Sequence, residues 1–178
     1  MKTDCIRFTK DWIYSDDCAI FNCTKLKTEN IMEQKFDVLK LDNQLCFPLY
    51  VCSKEIVKKY KPFLDEIGLT YTQYITMMAM WEHEELSVKK LGEYLFLDSG
   101  TLTPVLKTLE KKGFLFRKRS SEDERILVVT LSDSGKKLRE KAVEIPFKMQ
   151  GCISIDEKDA AELYRILHKI MESINSPE

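Results

Sequence analysis

The chain carries no excess of positive charge. Its 28 lysines and arginines face 29 aspartates and glutamates, for a net charge of −1. A globally basic polyanion binder is excluded, so any nucleic-acid contact has to come from a local patch. No apolar run approaches the roughly 20 residues of a membrane-spanning helix. The N-terminus also lacks the cationic stretch and apolar core of a secretory signal. The expectation is therefore a cytoplasmic protein with no membrane contact. Histidine is scarce: His83 and His168 are the two present. Cysteine hydrolases set a histidine base beside the thiol, and His83 sits among Glu82, Glu84 and Glu85 at a helix end, where a solvated terminus is expected. No metal and no cofactor are expected. The six cysteines (Cys5, Cys18, Cys23, Cys46, Cys52 and Cys152) are too sparse in 178 residues for a disulfide framework and are read as cytosolic thiols. There are no internal repeats and no low-complexity segments.

What the chain does hold is enough apolar material, 44% of its residues, to bury the core of one domain. Residues 1–31 differ from the rest: they contain three of the six cysteines and show no clear helical period. They read as an extension, poorly ordered or upstream of a true start at Met32. From there the order is helical. A first helix is expected from about Asn43 to Lys59, with Pro48 in its first turn and Pro62 ending or bending it. Thr70 and Gln73 match a capping box for a second helix, with Tyr74, Met77, Met78 and Trp81 along an apolar stripe. Ser87 caps a third and Asp98 a fourth, which runs from Ser99 to Lys112 and is closed by Gly113. Residues 115–119 and 126–131 read as two strands joined by the polar turn 120–125. Ser132 opens a fifth helix that breaks near Pro146, and a last helix starts at Asp156 with a stripe from Leu163 to Ile174.

Two helices joined by the short link 96–98 and followed by a hairpin form a winged helix-turn-helix. The predicted fold is mainly α with a small β-hairpin wing. Residues 70–131 would be a DNA-binding lobe, and 32–69 and 132–178 N- and C-terminal dimerisation helices. The fourth helix begins Ser99-Gly100-Thr101-Leu102-Thr103-Pro104. Small residues there let the backbone approach a groove, and Asp98, Ser99, Thr101 and Thr103 bring groups that can bond the helix start, bases or phosphates. Between Lys107 and Arg119 there are six basic residues, Arg117 and Lys118 among them, and one acidic residue, Glu110. That is the local excess a polyanion binder needs. At the hairpin tip Arg125 can enter a minor groove, with Asp123 to orient it. A two-fold homodimer would present two such helices to the half-sites of a pseudo-palindromic duplex.

Cys46 lies where the first helix begins, in the run Leu41-Asp42-Asn43-Gln44-Leu45-Cys46-Phe47. A thiol at a helix N-terminus is biased toward its reactive form. A reactive thiol beside a DNA-binding lobe points to a redox-sensing regulator rather than an enzyme. This run resembles the MarR family of winged-helix transcriptional regulators, in the organic-hydroperoxide-sensing (OhrR-like) branch. So do Tyr60-Lys61-Pro62, Thr70-Tyr71-Thr72-Gln73-Tyr74, the stretch from Leu97 to Pro104, and Asp123-Glu124-Arg125. The resemblance covers roughly Met32 to the C-terminus.

The resemblance implies that organic hydroperoxides oxidise Cys46 to a sulfenic acid and that the repressor then leaves its operator beside a peroxide-detoxifying gene. It implies that Tyr60 and Tyr71 donate to the sulfur across a dimer interface, with Tyr50 close by. Ser99, Gly100 and Thr101 match the start of the recognition helix, and Asp123 and Arg125 the wing pair. Cys152 falls in the region where two-cysteine relatives place a resolving thiol, with an inert thiol as the alternative. Two departures stand out: Thr108, where an arginine that supports the recognition helix is common, and Pro48, where relatives have a small or aliphatic residue. Two other readings compete. A regulator of the same family could respond to a bound phenolic ligand without using Cys46, and a thiol peroxidase would turn hydroperoxide over.

Overall fold

A computed structural model of the chain describes residues 36–175. The expected extension over 1–31 lies outside the described residues. The chain divides between Ile56 and Val57 into two compact units.

In the first unit a 3-10 turn, Leu41–Asn43, is tied back by Asn43, whose side-chain amide donates to the Asp37 carbonyl at 2.8 Å, and by Gln44, which donates to the carbonyl of Val38. Helix α1, Cys46–Glu66, follows and runs on into the second unit. It begins three residues later than the sequence suggested and continues past Pro62, which neither ends nor breaks it. Proline removes one helical N–H bond. Here the turn beyond it is anchored by Leu64, 2% exposed, and bridged by Lys61 to Asp65 at 2.7 Å.

The second unit contains the expected helix-turn-helix. Helix α2 (Tyr71–His83) starts at the Thr70–Gln73 capping box, with both reciprocal bonds formed. Strand β1 (Glu85–Ser87) leads to α3 (Val88–Leu95), where the Ser87 hydroxyl accepts from the Lys90 N–H. Helix α4 (Ser99–Lys111) starts at the Asp98 cap. Gly113, at φ +76°, closes it: its N–H donates to Glu110 and that of Phe114 to Leu109, the paired bonds that end a helix on a left-handed residue.

Strands β2 (Leu115–Arg119) and β3 (Leu127–Leu131) form the wing. The sequence suggested a two-stranded hairpin. The sheet has three antiparallel strands in the order β1-β3-β2, with Leu86 opposite Val129 and Arg117 opposite Val129 on the other side. Helices α5 (Asp133–Ala142), α6 (Ile145–Gln150) and α7 (Glu157–Asn175) complete the chain, and the Ser132 cap and the break before Pro146 fall where expected.

The core lies under this lobe. Met77 and Met80 of α2, Leu91 of α3, Leu102, Leu106 and Leu109 of α4, and Leu115 and Val129 of the wing are all at most 1% exposed. The α4 leucines recur at helical spacing, so one face of the helix is buried and the other is left to solvent. Two further bonds lock the lobe. Lys112, at the end of α4, donates to the Gly68 carbonyl at 2.6 Å and to the Gln73 side chain at 3.0 Å. Trp81 donates from its indole to the Gly135 carbonyl at 2.8 Å. No helix among the described residues is long and apolar enough to cross a membrane.

Candidate nucleic-acid interface and thiol site

The exposed face of the lobe gathers most of the residues the sequence singled out for DNA. Asp98 is committed to its own helix. Its carboxylate accepts from the Thr101 N–H at 2.9 Å and the Thr101 hydroxyl at 2.8 Å, and these bonds, the hydroxyl's first, hold it below its usual pKa. Thr103 donates to the Ser99 carbonyl at 2.6 Å. With their protons engaged, Thr101 and Thr103 keep oxygen lone pairs to offer outward. Gly100 lies beside the cap, where a Cβ would meet an Asp98 carboxylate oxygen at 2.9 Å. Thr108, the departure on this helix, bonds the Pro104 carbonyl at 2.9 Å and stays within its own turn.

The basic residues do not form a uniform set. Lys107 and Lys118 are exposed. Arg119 donates to the Glu124 carbonyl across the wing turn at 2.6 Å. Asp123 accepts from the Arg125 backbone N–H at 2.9 Å, so it shapes the turn through the main chain of Arg125. Arg117 is the exception: its side chain is only 19% exposed and is gripped by Glu110 of α4. In the sequence Glu110 is merely the lone acid in a basic run. The signal available was its seven-residue spacing from Arg117 across a glycine-closed helix end.

Cys46 is the first residue of α1 and is exposed. Around it Leu45, Phe47, Leu49, Tyr50 and Val51 leave large apolar surface uncovered, Tyr50 as much as 61%. The Lys54 ammonium sits 5.8 Å from the Tyr50 ring centroid. In the second unit Tyr60 and Tyr71 meet edge to face with centroids 5.1 Å apart, and Tyr74 lies 6.1 Å from Tyr60. Burial, and then the neighbouring Tyr60, push the Tyr71 phenol above its usual pKa, and Tyr74 shifts the same way for the same first cause. Both phenols are therefore protonated donors at neutral pH. Cys152, just past α6, is half-buried with its thiol 3.5 Å from the Lys148 carbonyl.

The ring of His83 meets Tyr94 edge-on at 5.0 Å, and Tyr94 donates to Glu82 at 2.8 Å. Among the described residues no group of three histidines, cysteines or acids is placed to hold a metal ion.

The sequence model of the transcriptional regulator SarA/Rot family matches residues 58–142. The chain is 49% identical over 144 residues to the organic hydroperoxide resistance transcriptional regulator of Bacillus subtilis (strain 168), across 81% of this chain and 98% of that one. It is 47% identical over 131 residues to the HTH-type transcriptional regulator SarZ of Staphylococcus aureus (strain USA300), across 74% and 88%. Among solved structures it resembles AbfR, a protein of Staphylococcus epidermidis. Reduced AbfR bound to DNA superposes with a TM-score of 0.67 at 31% identity, across 79% of this chain and 96% of that one. AbfR with its disulfide formed gives 0.53 at 32% identity, across 80% and 94%.

Proposed function

Because this chain belongs to the MarR family of winged-helix transcriptional regulators, in its organic hydroperoxide resistance branch, we propose that Cys46 is the residue through which it senses. The protein is a DNA-binding transcriptional regulator that responds to organic hydroperoxides, and not an enzyme. One observation carries the assignment to Cys46: an exposed thiol stands at the first position of a 21-residue helix, in a stretch of chain whose apolar side chains Leu45, Phe47, Leu49 and Tyr50 are also exposed. That apolar stretch suits a lipophilic hydroperoxide better than hydrogen peroxide.

The chemistry is a two-electron transfer. The Cys46 thiolate attacks the distal peroxide oxygen, the O–O bond breaks, the sulfur becomes a sulfenic acid, and the organic fragment leaves as an alcohol after taking up a proton. Tyr60 and Tyr71 act as donors to the sulfur across a dimer interface, with Tyr50 beside the thiol. The edge-to-face contact of Tyr60 with Tyr71 at 5.1 Å supports their acting as a pair, and a phenol donates to a thiolate without adding a competing charge. Cys152 then serves as the resolving thiol: its sulfur attacks the sulfenic acid, and water leaves as the disulfide forms. A disulfide-formed state solved for AbfR supports that route.

The acting species is a homodimer held by the segments 32–69 and 132–178. In one chain α7 leaves Leu163, Tyr164, Ile166, Met171 and Ile174 at least 40% exposed, as a face that a second copy would cover. The dimer meets a pseudo-palindromic operator in the cytoplasm through the starts of its two α4 helices, the exposed lysines and Arg125.

The decisive experiment titrates binding of the operator duplex against cumene hydroperoxide and follows intact mass in parallel. In the wild-type protein a Cys46–Cys152 disulfide, about 2 Da lighter than the two thiols, is expected as DNA is released. Cys46→Ser should stay bound under the same oxidant, and Cys152→Ser should stop at the sulfenic acid. Peroxide-driven release by Cys46→Ser would sink the assignment.

A further inference from the structure

Arg117 and Glu110 form the tightest ion pair of the winged lobe. The Glu110 carboxylate lies 3.0 Å from the Arg117 Nε and 2.5 Å from its Nη2, and its second oxygen accepts from the Arg117 backbone N–H at 3.0 Å. Among the described residues, strand β2 lies at the edge of the sheet and pairs only with β3. That backbone N–H therefore lies on the open side of the edge, where it would otherwise need water. Glu110 thus satisfies both the main chain and the side chain of the same wing residue from the last turn of the recognition helix. Its carboxyl is held below the ordinary carboxylate range, first by the Arg117 side-chain bond. Two residues along β2, Arg119 grips the carbonyl of Glu124, next to Arg125. A continuous set of bonds leads from α4 to the wing tip.

We propose that Glu110 and Arg117 are a positioning pair that sets how far the wing arginine, Arg125, stands from the recognition helix, and that Arg117 does not contact phosphate. The inference rests on the DNA-binding reading. A winged helix has to place one helix in the major groove and one arginine in the neighbouring minor groove together. The offset between them is a property of the protein, fixed before DNA arrives. A strut of charge-assisted bonds between α4 and β2 fixes it better than a flexible lysine could.

This assignment and a phosphate-contact role for Arg117 predict opposite signs. If Arg117 bound phosphate, Arg117→Ala would lower the salt slope of binding by about one. Glu110→Ala would tighten binding, because it removes a negative charge near the polyanion. As a positioning pair, Glu110→Ala weakens specific binding by roughly tenfold, Arg117→Ala weakens it similarly with the salt slope unchanged, and the exchange Glu110→Arg with Arg117→Glu recovers part of the loss. The effect is also carried by the wing: in an Arg125→Ala background, Glu110→Ala costs little more.

The full-length reduced protein is measured on the duplex that wild type selects from a randomised pool, with salt titrations for each variant. Glu110→Gln stands in if Glu110→Ala melts early, because its amide oxygen can still accept but carries no charge. Unchanged or tighter binding by the Glu110 variants, additive losses with Arg125→Ala, or a lower salt slope in Arg117→Ala would each overturn the proposal. If wild type selects no duplex, it is the DNA-binding reading that fails.

Discussion

The winged lobe and the helices that flank it solve the problem of burying apolar surface in different ways. The lobe finishes its core with its own residues: Met77, Leu91, Leu109, Leu115 and Val129 are wholly buried within one chain. The start of α1 and the length of α7 do not. Leu45 is 50% exposed, Tyr50 61% and Ile174 68%. The first region is a finished reading head, and the second is half of something. A regulator that must both bind DNA and respond to peroxides gains from this division. The lobe closes its core within one chain, and the segment that begins at Cys46 leaves its apolar side chains open.

The contrast can be broken at three points. The largest effect is expected at Leu109, where substitution by alanine opens a cavity in the closed core and costs about 2–5 kcal/mol. Denaturant unfolding should show that loss at every protein concentration. Gly135 comes next. A Cβ there would lie 2.0 Å from the Phe114 carbonyl oxygen, so α5 has to move away from the start of the wing. Gly135→Ala should cost about 1–3 kcal/mol by the same measurement. The smallest is Ile174→Ala, which should change the stability of the separated subunit by no more than about 0.5 kcal/mol while weakening self-association in sedimentation equilibrium. An Ile174→Ala loss as large as that of Leu109→Ala, in a sample shown to be monomeric, would erase the distinction between the two regions.

The sequence made the lobe legible because its signals are local. The caps at Thr70, Ser87, Asp98 and Ser132 each bond a backbone N–H three residues on, so spacing alone reveals them. What it hid was settled at a distance. Strand β1 has three residues, and its partners lie in β3, more than forty residues later. Pro62 looked like a stop because nothing nearby announces that Leu64 will be buried. Phe96 takes a left-handed conformation, φ +53°, at the helix-turn-helix corner, where glycine would be the local choice. The role of Arg117 was masked in the same way: in sequence it is one more positive charge, and only the fold brings Glu110 against it. For Cys46, motif and position at the helix start are readable, and elsewhere the contact of Tyr60 with Tyr71 needs two helices to be brought together.

One contact of the lobe has an optical consequence. Trp81 is 8% exposed, lies edge-on to Tyr74 at 6.3 Å, and spends its only donor on Gly135 at the start of α5. The chain has two tryptophans, the other being Trp12. A Trp12→Phe protein would therefore emit from a single indole, seated at the joint between the helix that begins with Tyr71 and the helix that leads out of the lobe. If oxidation loosens that joint, water reaches the ring and the emission moves to longer wavelength. The molecule thus carries an intrinsic fluorophore at the contact between α2 and the start of α5.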